Sequence, residues 1–185
     1  SGVMVAVIRT PPVDGASPAE ITRPNILLIV ADDQGYADLG CTGLADDVRT
    51  PNLDRLAQRG SRFMQAYATS SICNASRAGL ITGTYQARQG IYWYGGPGIH
   101  RAEFPTIAEV LGKSGYATGY VGKFHYGAEK SHAPSSRSFP LNHGFNFFYG
   151  FGGGRKHYLI HEAAVEELFL QVQVEQARQG SSLQQ

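Results

Sequence analysis

The chain has 185 residues, of which 42% are hydrophobic and 17% charged, and its formal net charge is +1. This composition is typical of a globular chain, and the small net charge gives no reason to expect nucleic acid or an acidic membrane as a partner. No stretch reaches the roughly 18 consecutive apolar residues of a membrane span. The two cysteines are Cys41 and Cys73, and the sequence alone does not decide whether they form a disulfide.

Three segments are predicted along the chain. Residues 1–22 contain three prolines among small residues and are predicted to be a leader or linker. From residue 23 to 158, strand and helix patterns alternate, which indicates an α/β domain with a doubly wound, mostly parallel sheet and flanking helices. Residues 159–185 are predicted to form an amphipathic helix, Leu159 to Ala177, followed by a polar tail.

Within the α/β region, the elements are predicted from periodicity and from capping residues. The apolar run from Asn25 to Ala31 predicts a strand that is buried on both faces of a parallel sheet. The remaining elements, in chain order, are a helix from Thr50 to Gln58, a strand from Arg62 to Ala68, helices from Ala75 to Ile81 and from Thr106 to Ser114, and a strand from Tyr116 to Val121.

An acidic pair, Asp32 and Asp33, directly follows the first predicted strand. In open α/β sheets, ligands bind beyond the carboxyl ends of the strands. Adjacent carboxylates repel each other, and a hard divalent cation such as Ca²⁺ or Mg²⁺ would relieve that repulsion. A solvated turn explains the same residues, and the pair alone favours that interpretation.

A cysteine, Cys73, directly precedes the second predicted helix, and Arg77 follows one helical turn later on the same face. The free N–H groups and positive dipole end of such a helix favour an oxyanion near Cys73. An isolated cysteine is more often a small buried apolar residue. Asn74-Ala75-Ser76 matches a glycosylation acceptor, which we interpret as accidental at this position.

Two basic residues, Lys123 and His125, follow the last predicted strand and alternate onto one side of an extended chain. A lysine can bind an anionic substrate, and a histidine can move protons near neutral pH. A solvated lysine and a histidine bonded to nearby backbone are the alternative.

Together, these motifs resemble the sulfatase family, formylglycine-dependent enzymes of the alkaline phosphatase superfamily. The resemblance extends from about Arg23 to Tyr158. Its motifs, in chain order, are Pro24-Asn25-Ile26-Leu27, Asp32-Asp33-Gln34-Gly35, Thr50-Pro51-Asn52-Leu53-Asp54, Cys73 to Gly83, Gly115-Tyr116 to His125, His143-Gly144-Phe145 and Phe147 to Gly154.

The resemblance implies a metal and a modified nucleophile. Asp32 and Asp33 would bind a divalent metal, Ca²⁺ with Mg²⁺ as the alternative. A maturation enzyme would oxidise Cys73 to formylglycine, whose hydrate attacks sulfur and also binds the metal. The sequence departs from the family signature at Ala75, where the family has Pro, and Phe124 replaces a common Trp.

The resemblance also implies roles around the sulfate. Arg77 would stabilise the hydrate, Lys123 would bind the sulfate, and His125 would hold the hydroxyls or assist proton transfer. Tyr92 falls where some relatives line the substrate pocket. The aromatic cluster around it could equally be structural.

We therefore expect the N-terminal portion of a sulfuric ester hydrolase that acts on a sulfated small molecule or carbohydrate. The family takes further metal ligands and a second Lys and His from a later segment, which nothing after Tyr158 matches. The alternatives are a phosphatase or phosphodiesterase of the same superfamily and a truncated, catalytically inactive fragment. By family analogy the protein would be secreted, periplasmic or lysosomal, although no signal peptide is visible.

Overall fold

A computed structural model describes residues 24–100, 102–128 and 133–153. The chain divides into two compact units, of which the first ends at Ala68 and the second begins at Thr69. No helix in the described ranges is long and apolar enough to cross a membrane. The predicted leader, residues 1–22, and the predicted C-terminal helix and tail, residues 159–185, lie outside the described residues.

The first unit contains a short 3-10 turn, Gly40–Thr42, and helix α1, Pro51–Arg59. The helix predicted in this region is confirmed, with Pro in its first turn and Gly60 after its end. The Asp54 carboxylate holds the turn against the helix, because it accepts hydrogen bonds from the Cys41 amide at 2.7 Å and the Thr50 hydroxyl at 2.8 Å.

Two strand predictions in the first unit are wrong. Neither residues 25–31 nor residues 62–68 form a strand, and Ile26, Leu27 and Ile29 are each at least 40% exposed. A strand requires a neighbour for its backbone N–H and C=O groups, and the described part of this unit contains no other strand. The apolar pattern shows that the segment suits burial in a sheet, but it does not identify the strand with which the segment would pair.

The second unit contains the helices and strands that carry most of the predicted site. They are, in chain order, α2 (Cys73–Thr82), a 3-10 turn (Gln86–Gln89), α3 (Ile107–Lys113), β1 (Gly119–Lys123), a second 3-10 turn (Pro140–Asn142) and β2 (Phe147–Phe151). Both helix predictions are confirmed. The start of α3 is fixed by a capping box, in which Thr106 and Glu109 each accept a hydrogen bond from the backbone amide of the other.

The strands β1 and β2 pair in parallel, with Gly119 opposite Phe147 and Lys123 opposite Phe151. The strand predicted from Tyr116 begins three residues later than expected, and β2 was not predicted as a strand. A small parallel sheet with flanking helices confirms the α/β class. The described residues contain two strands of the expected doubly wound sheet.

An aromatic core fixes the carboxyl end of β1. Phe124 is 1% exposed. Its ring packs edge-on against Phe139 and Phe148, at centroid distances of 5.8 and 5.4 Å. Because Phe124 is anchored in this way, its chain neighbours Lys123 and His125 are held at a defined place beside the core.

Candidate active site

Helix α2 begins at Cys73, with Ile72 as its N-cap residue and no side-chain capping bond. The helix predicted from Ala75 is confirmed, and it starts two residues earlier than expected, at the cysteine itself. Ala75 and Ala78 are both fully buried, so the small side chains let the helix enter the core. The amino-terminal end of α2, with the partial positive charge of its dipole, therefore lies at the Cys73 thiol.

The thiol of Cys73 is in contact with the imidazole of His125, 52 residues later in the chain. Cys73 Sγ lies 3.2 Å from His125 Nδ1. His125 is 8% exposed and has a φ of 43°, in the left-handed region that residues other than glycine adopt only occasionally. This backbone conformation turns the chain directly after β1, and the imidazole is buried against the thiol.

Arg77 ties α2 to the end of β1. Its guanidinium donates a hydrogen bond to the backbone carbonyl of Lys123 and another, at 3.4 Å, to the Tyr120 hydroxyl. The Tyr120 hydroxyl in turn donates to the same Lys123 carbonyl at 2.7 Å. The structure thus brings four predicted residues together in two pairs, because Cys73 contacts the His125 side chain and Arg77 contacts the Lys123 backbone carbonyl. The sequence did not reveal these contacts.

Asn74 is a residue of this site that sequence reasoning missed. It is fully buried, and its side-chain amide donates to the Trp93 carbonyl at 2.7 Å and accepts from the Gly127 amide at 2.6 Å. A side chain engaged in this way is not accessible to glycosylation, which agrees with our view of the Asn-Ala-Ser match. No local pattern could have revealed this role, because both partners are distant in sequence.

The aromatic loop, which we define as Tyr92-Trp93-Tyr94, adjoins the site through that Asn74 bond. All three side chains are at least 58% exposed. The Trp93 and Tyr94 ring centroids are 5.6 Å apart, whereas the Tyr92 hydroxyl donates to the Ala87 carbonyl at 3.1 Å. The loop therefore presents aromatic surface next to the residue that follows Cys73.

Asp32 and Asp33 belong to the first unit, whereas the other predicted site residues belong to the second. Both are exposed, and Asp33 has a left-handed φ of 56°. The described ranges contain no cluster of three or more His, Cys, Asp or Glu that could hold a metal. Carboxylates suit Ca²⁺ or Mg²⁺ chemically, but two of them supply only part of the six or more oxygens that Ca²⁺ takes.

The disulfide left open by the sequence does not form, because Cys41 and Cys73 are both free thiols.

A partly buried polar cluster connects α3 to the segment before β2. Glu109 accepts two hydrogen bonds from Arg137, at 2.8 and 3.0 Å. Burial alone would raise the pKa of Glu109, but Arg137 and the Thr106 amide outweigh it, so this pKa lies below its usual value. His143 Nδ1–H donates to the Arg137 carbonyl at 2.9 Å, and burial lowers the pKa of His143 to about 4. The His143-Gly144-Phe145 motif is thus structural.

Comparison with known proteins shows which family the chain resembles. A family model described as Sulfatase matches residues 24–165, which is slightly further along the chain than the motifs extend. Human arylsulfatase D is 42% identical over 141 residues, which cover 71% of this chain and 24% of the relative. Bovine arylsulfatase A is 44% identical over 140 residues, which cover 71% of this chain and 26% of the relative.

Two solved structures are also similar. A crystal structure of Ps i-CgsB has a TM-score of 0.58 and 38% sequence identity, and the match covers 68% of this chain and 27% of that chain. A complex of Ps i-CgsB with k-i-k-neocarrahexaose has a TM-score of 0.56 and 36% identity, covering 66% and 27%. The chain spans about a quarter of the length of these curated relatives and structures. Because the family model matches more than half of the sequence, the chain belongs to the sulfatase family.

Proposed function

We propose that the protein to which this chain belongs hydrolyses sulfate esters, with residue 73 as the nucleophile position. The observation that carries the proposal is the 3.2 Å contact between Cys73 Sγ and His125 Nδ1 at the start of α2. A side chain at this position has a proton acceptor within reach, as nucleophilic catalysis requires. The same position meets the positive end of a helix, where a tetrahedral anion is favoured.

The roles of the neighbouring residues follow from where they lie. His125 Nδ1 would hold or move a proton at the atom bonded to Cβ of residue 73. Lys123, on the strand that ends beside this contact, would bind the sulfate oxygens with its ammonium group. Arg77 bonds to the Lys123 carbonyl, so its contribution includes fixing the distance between α2 and β1.

A formylglycine at position 73 would supply the nucleophilic hydroxyl group, and a maturation enzyme would have to make it. Asp32 and Asp33 would hold a divalent cation, Ca²⁺ or Mg²⁺, and such a cation supplies Lewis-acid chemistry when it is bound. The hard oxygen donors of this pair support the assignment.

A sulfated carbohydrate or aryl sulfate is the substrate class that we propose. The support comes from relatives named as arylsulfatases and from the oligosaccharide complex of the structural neighbour. A phosphate ester is the comparison substrate, because the same superfamily includes phosphatases.

The nucleophile assignment is tested by mass and by activity. When the chain is produced together with a formylglycine-generating enzyme, the tryptic peptide 63–77 should be about 18 Da lighter than its cysteine form, by atom counting. In the full-length protein, Cys73→Ala should abolish hydrolysis of an aryl sulfate, whereas Cys41→Ala, the matched control at the other free thiol, should retain it. Full activity in Cys73→Ala would refute the assignment, and faster turnover of the phosphate ester would favour the phosphatase alternative.

The metal assignment has its own matched control within the same unit. Asp32→Ala and Asp33→Ala in the full-length protein should lower metal content and activity together. The Asp46-Asp47 pair is also exposed and adjacent, so Asp46→Ala should change neither. Unchanged metal stoichiometry in both Asp32→Ala and Asp33→Ala would return the acidic pair to the solvated-turn interpretation.

A further inference from the structure

The aromatic loop exposes large rings although its backbone is firmly held. Its two sides are anchored by a hydrogen bond from the Ile91 amide to the Gln86 carbonyl at 3.1 Å and one from the Ala128 amide to the Gly96 carbonyl at 3.0 Å. Asn74 bonds to the middle of the loop, at the Trp93 carbonyl. A loop held at three points keeps its exposed side chains in place without covering them, which lowers the entropy cost of binding.

The position of the loop relative to the nucleophile follows from the chain. Asn74 is the residue after Cys73, and consecutive Cα atoms are about 3.8 Å apart. Adding the length of an asparagine side chain and the 2.7 Å bond places the Trp93 carbonyl no more than about 10 Å from the Cα of Cys73. That separation suits an ester whose sulfate lies at residue 73 and whose remaining portion reaches the loop.

We propose that Trp93 and Tyr94 form a stacking platform for the six-membered ring of the sulfate ester, and so determine specificity. Trp93 is 58% exposed and Tyr94 60%. Their ring centroids lie 5.6 Å apart and the ring planes are tilted by 56°, so the two residues offer adjoining aromatic faces. Aromatic faces bind both aryl rings and the apolar faces of sugar rings, whereas a flexible alkyl chain gains less from them. This inference rests on the proposed function, because residue 73 locates the sulfate.

The chain has a built-in reporter, since Trp93 is its only tryptophan. Emission of the 185-residue chain, excited at 295 nm, is titrated with phenyl sulfate, a sulfated pyranose monosaccharide and butyl sulfate. Phenyl sulfate or the pyranose should shift the emission saturably and bind at least about 3-fold more tightly than butyl sulfate. The comparison of the two ring ligands distinguishes an aryl from a sugar specificity. Unchanged emission, or equal affinity for butyl sulfate, would overturn the proposal.

Variants of Tyr94 separate stacking from folding. Tyr94→Ala should raise the Kd of the preferred ring ligand by about 2- to 12-fold, and Tyr94→Phe, which keeps the ring, should restore it. Tyr85→Ala is the matched control: Tyr85 is 69% exposed but lies beyond the far end of α2, about 14 Å along the helix from Cys73. A Tyr94→Ala chain that folds and binds like wild type would refute the platform. The readout is emission and not turnover. A chain that binds the ring ligand but does not hydrolyse it therefore contradicts the proposed hydrolysis and not the platform.

Discussion

Replacing Asn74 with alanine tests whether this buried side chain holds the site together. The substitution removes the acceptor for the Gly127 amide, 2.6 Å away, and the donor to the Trp93 carbonyl, 2.7 Å away. Gly127 is buried, so its N–H would lose its partner without gaining water, at a cost of about 1–3 kcal/mol. The Trp93 carbonyl is only partly buried, and its lost bond adds about 1 kcal/mol.

We therefore expect Asn74→Ala to lower the free energy of unfolding by about 2–4 kcal/mol. For a chain of this size, that loss corresponds to a fall in Tm of about 4–16 °C. Urea denaturation followed by circular dichroism measures the free energy, and calorimetry measures the Tm.

Asn142→Ala is the matched control for this measurement. Asn142 also makes two side-chain hydrogen bonds, to the carbonyls of Pro134 and Ser136 at 2.6 and 2.7 Å, but it is exposed. Water can replace both bonds, so the expected loss is below about 1 kcal/mol. Equal losses in Asn74→Ala and Asn142→Ala would show that burial does not set the cost, and the argument for Asn74 would fail.

Three further predictions concern pH and local backbone. The pKa of His143 is about 4 in the folded chain, below its value in the unfolded chain, so the unfolded chain binds more protons at a pH between these two values. The free energy of unfolding should therefore fall by about 2 kcal/mol from pH 7 to 5. His143→Gln should flatten this pH dependence. Gly150→Ala would place a Cβ 1.9 Å from a carbonyl oxygen across the sheet and should cost at least about 2 kcal/mol, whereas Gly112→Ala, in open space within α3, should be neutral or stabilising in the same urea assay. Ala75→Pro, in the first turn of α2, should hold or raise the formylglycine fraction at Cys73 measured by mass spectrometry; a clear fall would contradict it.

The helices could be predicted from the sequence because their signals are local. The proline and glycine that flank α1, and the Thr106 to Glu109 capping box of α3, lie within a few residues of the elements they define. The helix α2 was predicted from Ala75, and it begins two residues earlier, at Cys73. A helix satisfies its own backbone hydrogen bonds, so its sequence contains most of the information that places it.

The strands were predicted less well because their hydrogen bonds are made elsewhere in the chain. β2 has the sequence Phe-Phe-Tyr-Gly-Phe, which does not alternate in polarity, and its partner β1 lies 28 residues earlier. Conversely, residues 25–31 have a clear strand pattern and are not in a strand. A pattern of apolar residues shows that a segment suits a sheet, whereas pairing depends on a neighbour.

The candidate site shows the same division between local and long-range information. Chemistry identified Cys73, Lys123 and His125 individually, but each had a plausible structural explanation alone. What joins them is a set of bonds from α2 side chains to backbone atoms: Arg77 to the Lys123 carbonyl, and Asn74 to the Trp93 carbonyl and Gly127 amide. Backbone atoms are present whatever the residue, so these bonds leave no trace in the sequence of the partner segments. The first two turns of α2 therefore carry both the proposed nucleophile position and the side chains that fix its surroundings. A substitution at Asn74 or Arg77 should be judged first by what it does to geometry.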